Sequence, residues 1–150
     1  GAALVKLGKN EEAILCFDRA IQINPNNETY YHKKATALAS LGKYQEALVC
    51  CDKAIQINPD SGMYHHNKGA ALIMLGKNEE AVLCLDRAIQ LNPKYGYFYF
   101  DKGVALLNLG KYQEALLCCD KAIQAHPHVQ NFHSMRAFLA QKLESSKSSN

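Results

Sequence analysis

The chain has 150 residues, a formal net charge of +3, and 48% hydrophobic and 21% charged residues. This composition is typical of a folded domain, and it excludes a chain that is disordered throughout. The apolar runs are far shorter than the roughly 20 residues needed to cross a bilayer, so we expect no membrane span and no secretion leader.

A repeat of 34 residues organises nearly the whole chain. The four prolines follow one another at this interval: Pro25, Pro59, Pro93 and Pro127. The triplet Leu-Gly-Lys keeps the same step, with its glycine at Gly8, Gly42, Gly76 and Gly110. Glycine suits the left-handed turn that ends a helix, and proline cannot continue a helix. Each period is therefore predicted to contain two helices, separated by the glycine and closed by the proline.

The predicted elements follow in chain order. Residues 1–27 form a partial repeat whose first helix is truncated. Three complete repeats follow, over residues 28–61, 62–95 and 96–129. Asn10 and Asn78 are the predicted N-caps of two second helices. Residues 130–143 form a predicted capping helix whose polar side chains face water, and the polar residues 144–150 are predicted to be a disordered tail.

These residues resemble the tetratricopeptide repeat, whose pattern runs W-x2-L-G-x2-Y, then A-x3-F, then P. The third period offers His65, Gly69, Leu72, Ala81, Leu85 and Pro93 at the matching places. The departures are a Tyr or His in place of the tryptophan and a lysine in place of the leucine, at Lys34, Lys68 and Lys102. The resemblance implies an all-α fold, a right-handed superhelical solenoid of antiparallel helix pairs.

The repeats are related in pairs. Residues 8–24 match residues 76–92 at all but three positions, and residues 42–58 match residues 110–126 at all but three positions. The unit that was duplicated is therefore predicted to be two repeats long, or 68 residues.

The six cysteines belong to the repeat rather than to a reactive site. Four recur at the same 34-residue step, and two follow directly after them: Cys16, Cys50, Cys84 and Cys118, then Cys51 and Cys119. Equivalent atoms in successive repeats lie roughly 10 Å apart, too far for a disulfide. We expect reduced, buried thiols and a cytoplasmic location.

No pattern in the sequence predicts catalysis. No nucleophile and base pairing, phosphate-binding loop or metalloprotease helix is present, so we expect no enzyme and no cofactor. His126 and His128 flank a proline, but two ligands without a third make no metal site. Lys33 is the only basic residue at the groove positions of the three complete first helices, so nucleic acid is not an expected partner.

The first helices differ between repeats, whereas the second helices are nearly identical. Residues that maintain the fold are expected to be similar in every repeat, whereas residues that bind a partner are expected to differ between repeats. In the family that this chain resembles, the first helices line a concave groove that receives a peptide or helix of another protein. The groove residues carried over are His32, Thr36, Met63, His66, Asn67, Ala70, Tyr97, Phe100, Asp101, Val104, Ser134 and Phe138. The resemblance implies a non-catalytic interaction scaffold whose partner is partly apolar.

One subtype of the family holds the acidic C-terminus of heat-shock chaperones with lysines, asparagines and an arginine. The corresponding places here are His32, Thr36, Ala70, Tyr97 and Asp101. Most of these side chains have the wrong chemistry for holding carboxylates, so we expect a different partner. The alternative function is self-assembly into a homo-oligomer, through repeat faces or through the truncated first repeat.

Overall fold

The computed structural model describes residues 2–148, and side chains from residue 6 onward. These residues form eight α-helices and no strand: α1 (Ala2–Ile23), α2 (Glu28–Ser40), α3 (Tyr44–Ile57), α4 (Gly62–Met74), α5 (Asn78–Leu91), α6 (Gly96–Asn108), α7 (Tyr112–Ala125) and α8 (Gln130–Ser148). Each helix packs against the next along the chain. The predicted all-α solenoid of helix pairs, closed by a C-terminal helix, is confirmed.

The contacts between helices define an inner and an outer side. The first helices of the complete repeats, α2, α4 and α6, approach one another, whereas the second helices, α3, α5 and α7, pack mainly on first helices. The side on which neighbouring helices come closer is the inner side of a curved stack. The first helices therefore form the concave surface, and the second helices, together with the equivalent part of α1, form the convex surface.

Three of the four predicted glycine turns are present. Gly42, Gly76 and Gly110 have φ values of 77°, 78° and 77°, in the left-handed region that favours glycine. The prediction was wrong at Gly8, which lies inside the continuous helix α1 together with Asn10. The backbone groups around Gly8 hydrogen-bond within α1, and a glycine inside a helix costs only about 1 kcal/mol relative to alanine, so the helix continues through it.

The predicted cap at Asn78 is also wrong. Asn78 is the first residue of α5, and Lys77, whose side chain makes no capping bond, is the N-cap. The Asn78 Oδ1 atom accepts instead from Asn108 Nδ2 at 3.0 Å. Packing between repeats therefore fixes the start of this helix and outweighs the local capping preference.

The C-terminal helix is longer than expected. Helix α8 continues to Ser148, so residues 144–148 are helical and not the predicted disordered tail, whereas residues 149–150 lie outside the described part. No proline or glycine follows Pro127 to end the helix. Lys147 in the last turn also favours the negative end of the helix dipole.

Small residues allow the helices of a repeat to pack closely. Ala81 and Ala115 are completely buried, with 0% exposure. At Gly69, an added Cβ would lie only 2.8 Å from Leu85 Cγ, closer than real Cβ contacts. The interhelical distance at this junction therefore depends on the absence of a side chain at Gly69.

A hydrogen bond to a proline carbonyl recurs at the start of each first helix. Tyr31 and Tyr99 donate their hydroxyls to the carbonyls of the prolines six residues earlier, at 3.0 and 2.9 Å. His65 and His133 do the same from Nε2, at 2.9 and 2.8 Å. The family's tryptophan is therefore replaced by side chains whose polar tip fixes the loop between repeats.

An ion pair joins each second helix to the first helix of the next repeat. Lys34, Lys68 and Lys102 contact Asp18, Asp52 and Asp86 at 2.5, 2.7 and 2.6 Å, and Arg136 contacts Asp120 in the same way at 2.6 Å. Burial lowers the pKa of Lys68, but the hydrogen bond and charge of Asp52 outweigh it and raise that pKa. The lysines that depart from the family pattern thus cross-link neighbouring repeats.

The buried junction at Ala81 can be tested with two tryptophan substitutions on the same helix. Ala81→Trp should cost about 1–3 kcal/mol of unfolding free energy or more, because no space is left around this fully buried side chain. Leu83→Trp, at a position that is 70% exposed, is the control and should change stability little. Equal thermal stability of the two variants would contradict the helix packing described here.

Candidate functional site: the concave groove

All twelve predicted groove residues keep part of their surface accessible. Five are exposed: Thr36, Met63, Tyr97, Ser134 and Phe138. Seven are half-buried: His32, His66, Asn67, Ala70, Phe100, Asp101 and Val104. None lies in the buried core, so each of them is accessible to a partner.

A cavity of about 300 Å³ lies between α2 and α4, with the start of α3 as its floor. It brings together three predicted residues: Thr36, Asn67 and Ala70. It is also lined by Ala39, Ser40 and Met74, which sequence reasoning missed. These three lie three or four residues after Thr36 or Ala70, so helical periodicity could have identified them.

Two hydrogen bonds cross the groove between successive first helices. Asn67 Nδ2 donates to His32 Nδ1 at 2.9 Å, and His66 Nε2 donates to Asp101 Oδ2 at 2.5 Å. Burial, followed by the charge of Lys33, lowers the pKa of His32, so its ring is neutral and accepts from the amide. These four residues bind one another and orient the groove surface.

Aromatic rings connect the same helices in a regular series. The ring centroids of His32 and Tyr64 lie 5.0 Å apart, and those of Phe100 and Phe132 lie 4.9 Å apart. Phe132 is completely buried. Phe100 therefore packs partly between repeats and is not purely a binding residue. Tyr97 also packs on Phe132, with ring centroids 5.1 Å apart, but it is 40% exposed and so keeps part of its aromatic surface available.

The charge of the groove does not favour acidic ligands. Asp101 places a carboxylate in it, and the nearest basic group to that carboxylate is the imidazole of His66. Lys33 is exposed at the N-terminal end of the described groove. A partner with several carboxylates would meet one negative side chain and few groups able to pair with it.

The thiols offer no competing chemistry. Five of the six cysteines are buried or half-buried, and only Cys16 is exposed. Burial raises the pKa of Cys51 to about 12 and that of Cys119 to about 11, so both remain protonated near neutral pH. Within residues 2–148, no group of three His, Cys, Asp or Glu side chains could hold a metal ion.

Thiol labelling tests this assignment. With Ellman's reagent at pH 8, Cys16 should react rapidly, and the buried, protonated thiols of Cys51 and Cys119 should react at least about tenfold more slowly. Cys16→Ser should remove the fast phase, and denaturation should make all remaining thiols reactive. A fast phase that survives in Cys16→Ser would show that a second thiol is accessible.

Comparisons with known families and structures agree with this geometry. Family models described as TPR repeat and tetratricopeptide repeat match residues 1–42, 29–61, 50–82 and 67–129. A comparison with curated proteins finds no match. None of the described helices has the length and apolar content needed to cross a membrane.

Several solved structures share the fold at low sequence identity. MamA from Desulfovibrio magneticus RS-1 superposes with a TM-score of 0.86 at 23% identity, over 94% of this chain and 80% of that chain. The first TPR domain of human RPAP3 gives a TM-score of 0.79 at 24% identity, over 85% and 100%. The first TPR of Spaghetti (RPAP3), bound to the HSP90 peptide SRMEEVD, gives 0.76 at 24%, over 78% and 93%.

Proposed function

Because this chain belongs to the tetratricopeptide repeat family, we propose that it is a non-catalytic protein-interaction scaffold that binds a partly apolar peptide or helix in its concave groove. The cavity between α2 and α4 is the observation that supports this proposal, because it combines accessible space with residues that differ between repeats. A related fold that holds a peptide supports the same class of partner. The free cysteines favour a reducing compartment such as the cytoplasm.

The lining of the cavity determines which side chains it could accept. Ala39, Ala70 and Met74 supply apolar surface, and the cavity of about 300 Å³ lies at the small end of ligand sites. The hydroxyls of Thr36 and Ser40 donate to carbonyls of their own helix, at 3.1 and 3.0 Å, which leaves lone pairs to accept hydrogen bonds. An apolar side chain flanked by amide donors fits this arrangement.

The first test asks whether the groove of this chain binds an acidic peptide weakly. The peptide SRMEEVD, labelled with a fluorophore, should bind this chain at least about tenfold more weakly than it binds the RPAP3 domain, because Asp101 repels carboxylates and clamp-like cations are missing. Fluorescence polarisation measures both affinities. Asp101→Lys should strengthen the interaction, and micromolar binding by the unmodified chain would contradict the proposal for a non-acidic partner.

The groove itself is tested by filling the cavity. Peptides selected from a displayed random library on the wild-type chain should lose about 2 kcal/mol or more of binding free energy in Ala70→Arg, because the long side chain occupies their site. Gln113→Arg is the matched control, since it adds the same charge at an exposed position on the convex helix α7.

The outcome separates three cases. Loss of binding in Ala70→Arg with unchanged helical content by circular dichroism supports the groove. Equal affinity of both variants would show that the selected peptides use another surface. If Ala70→Arg unfolds, Met74→Glu at the 59% exposed edge of the same cavity provides the measurement instead.

A further inference from the structure

The convex surface carries a row of exposed aliphatic side chains. One lies on each second helix, and the row consists of Leu15, Val49, Leu83 and Leu117, which are 64%, 64%, 70% and 56% exposed. These residues recur at the 34-residue step, so they form one line along the array. Isolated exposed leucines need no explanation, but an exposed aliphatic residue at the same place in every repeat forms a regularly spaced apolar strip.

Two charged rows flank this apolar strip. The acidic row lies three residues before it and consists of Glu12, Glu46, Glu80 and Glu114. The basic row lies four residues after it and consists of Arg19, Lys53, Arg87 and Lys121. All eight charged residues are exposed. Spacings of three and four residues place the three rows on the same face of each helix, with opposite charges on the two sides of the strip.

The charged rows are little used within the chain itself. Among the described residues, none of the four glutamates of the acidic row forms an ion pair. In the basic row, Arg87 approaches Asp60 at 3.8 Å, and the Lys121 ammonium lies 5.7 Å from the centre of the Tyr99 ring. Most of this charge therefore remains available to a partner.

We infer that the convex surface binds a second copy of this chain. A two-fold axis running along the strip turns the acidic row of one copy onto the basic row of the other and places the apolar strips face to face. Glu46 then lies opposite Lys53 of the second copy, and Leu83 lies opposite Leu83 of the second copy. The second helices cross in antiparallel directions, and the two arrays run the same way.

The repeat spacing favours a second copy over an unrelated partner. A partner must present charges and apolar groups at the spacing of successive repeats, and a second copy has this spacing in all four units. Furrows of about 470 and 330 Å³ lie between successive second helices, with Val49 on the wall of one and Leu117 on the wall of the other. They provide space for side chains of the facing copy.

This association leaves both concave grooves open. Two convex surfaces curve away from each other, so the contact is smaller than the roughly 800 Å² per partner of a standard interface and we expect a weak, concentration-dependent dimer. Its grooves face in opposite directions. A dimer of this kind is a bivalent scaffold that holds two partner segments at once.

Complementary charge reversal tests the inference. The acidic-row variant carries Glu46→Lys, Glu80→Lys and Glu114→Lys, and the basic-row variant carries Lys53→Glu, Arg87→Glu and Lys121→Glu. Sedimentation velocity in about 0.15 M salt should show a dissociation constant raised at least about tenfold in each variant alone. An equimolar mixture should form a heterodimer, because each row then meets its opposite charge.

Three controls separate the strip from general charge effects. A variant with Glu28→Lys, Glu144→Lys, Gln130→Lys and Gln141→Lys has the same net charge as the acidic-row variant but should not pair with the basic-row variant. Leu83→Ser with Leu117→Ser should abolish self-association. The double variant Met74→Ser with Phe138→Ser changes exposed positions outside the strip, and it should leave self-association unchanged.

Several results would overturn the inference. The first is a wild-type chain that remains monomeric up to about 1 mM, well above the concentrations at which weak specific interfaces form. Failure of the two charge-reversed variants to pair is the second. The third is dimerisation that survives Leu83→Ser with Leu117→Ser while circular dichroism shows all variants folded.

Discussion

Helices in this solenoid come close together where an alanine or a glycine lies at their contact. A methyl group at Gly69 would meet Leu85 at 2.8 Å, and Ala81 and Ala115 have no exposed surface. The contact at Gly69 sets the distance between the two helices of one repeat, and Ala81, which shares a core cluster with Ala105, also sets the distance to the next repeat. That distance in turn determines which side chains face each other across the groove, and how far apart the equivalent residues of the convex strip lie.

Polar bonds at the repeat boundaries complement this packing. The histidine and tyrosine bonds to proline carbonyls hold the loops, and the lysine to aspartate pairs join helices of neighbouring repeats. Both occur where the chain departs from the common pattern of its family. The three solved structures described above have the same fold and only 23–24% sequence identity to this chain, so the fold depends on a small set of positions and leaves the others free to vary.

The regular spacing of proline and glycine was sufficient to predict the helix pairs, because those residues act through local backbone geometry. Local reasoning failed where tertiary packing decides the outcome. Gly8 lies inside the continuous helix α1 instead of at a turn, and the Asn78 side chain binds Asn108 instead of capping its helix. For the groove, the sequence identified accessible residues, but only the structure shows that Phe100 stacks on Phe132 and that His66 binds Asp101.

The cross-repeat bonds have a mechanical consequence. Each of them links a repeat only to its immediate neighbour, as between Lys34 and Asp18 or between His66 and Asp101, and no bond connects distant parts of the described array. An end repeat has one supporting neighbour and an internal repeat has two. Heating or pulling should therefore open the outer repeats of the described array before the central ones.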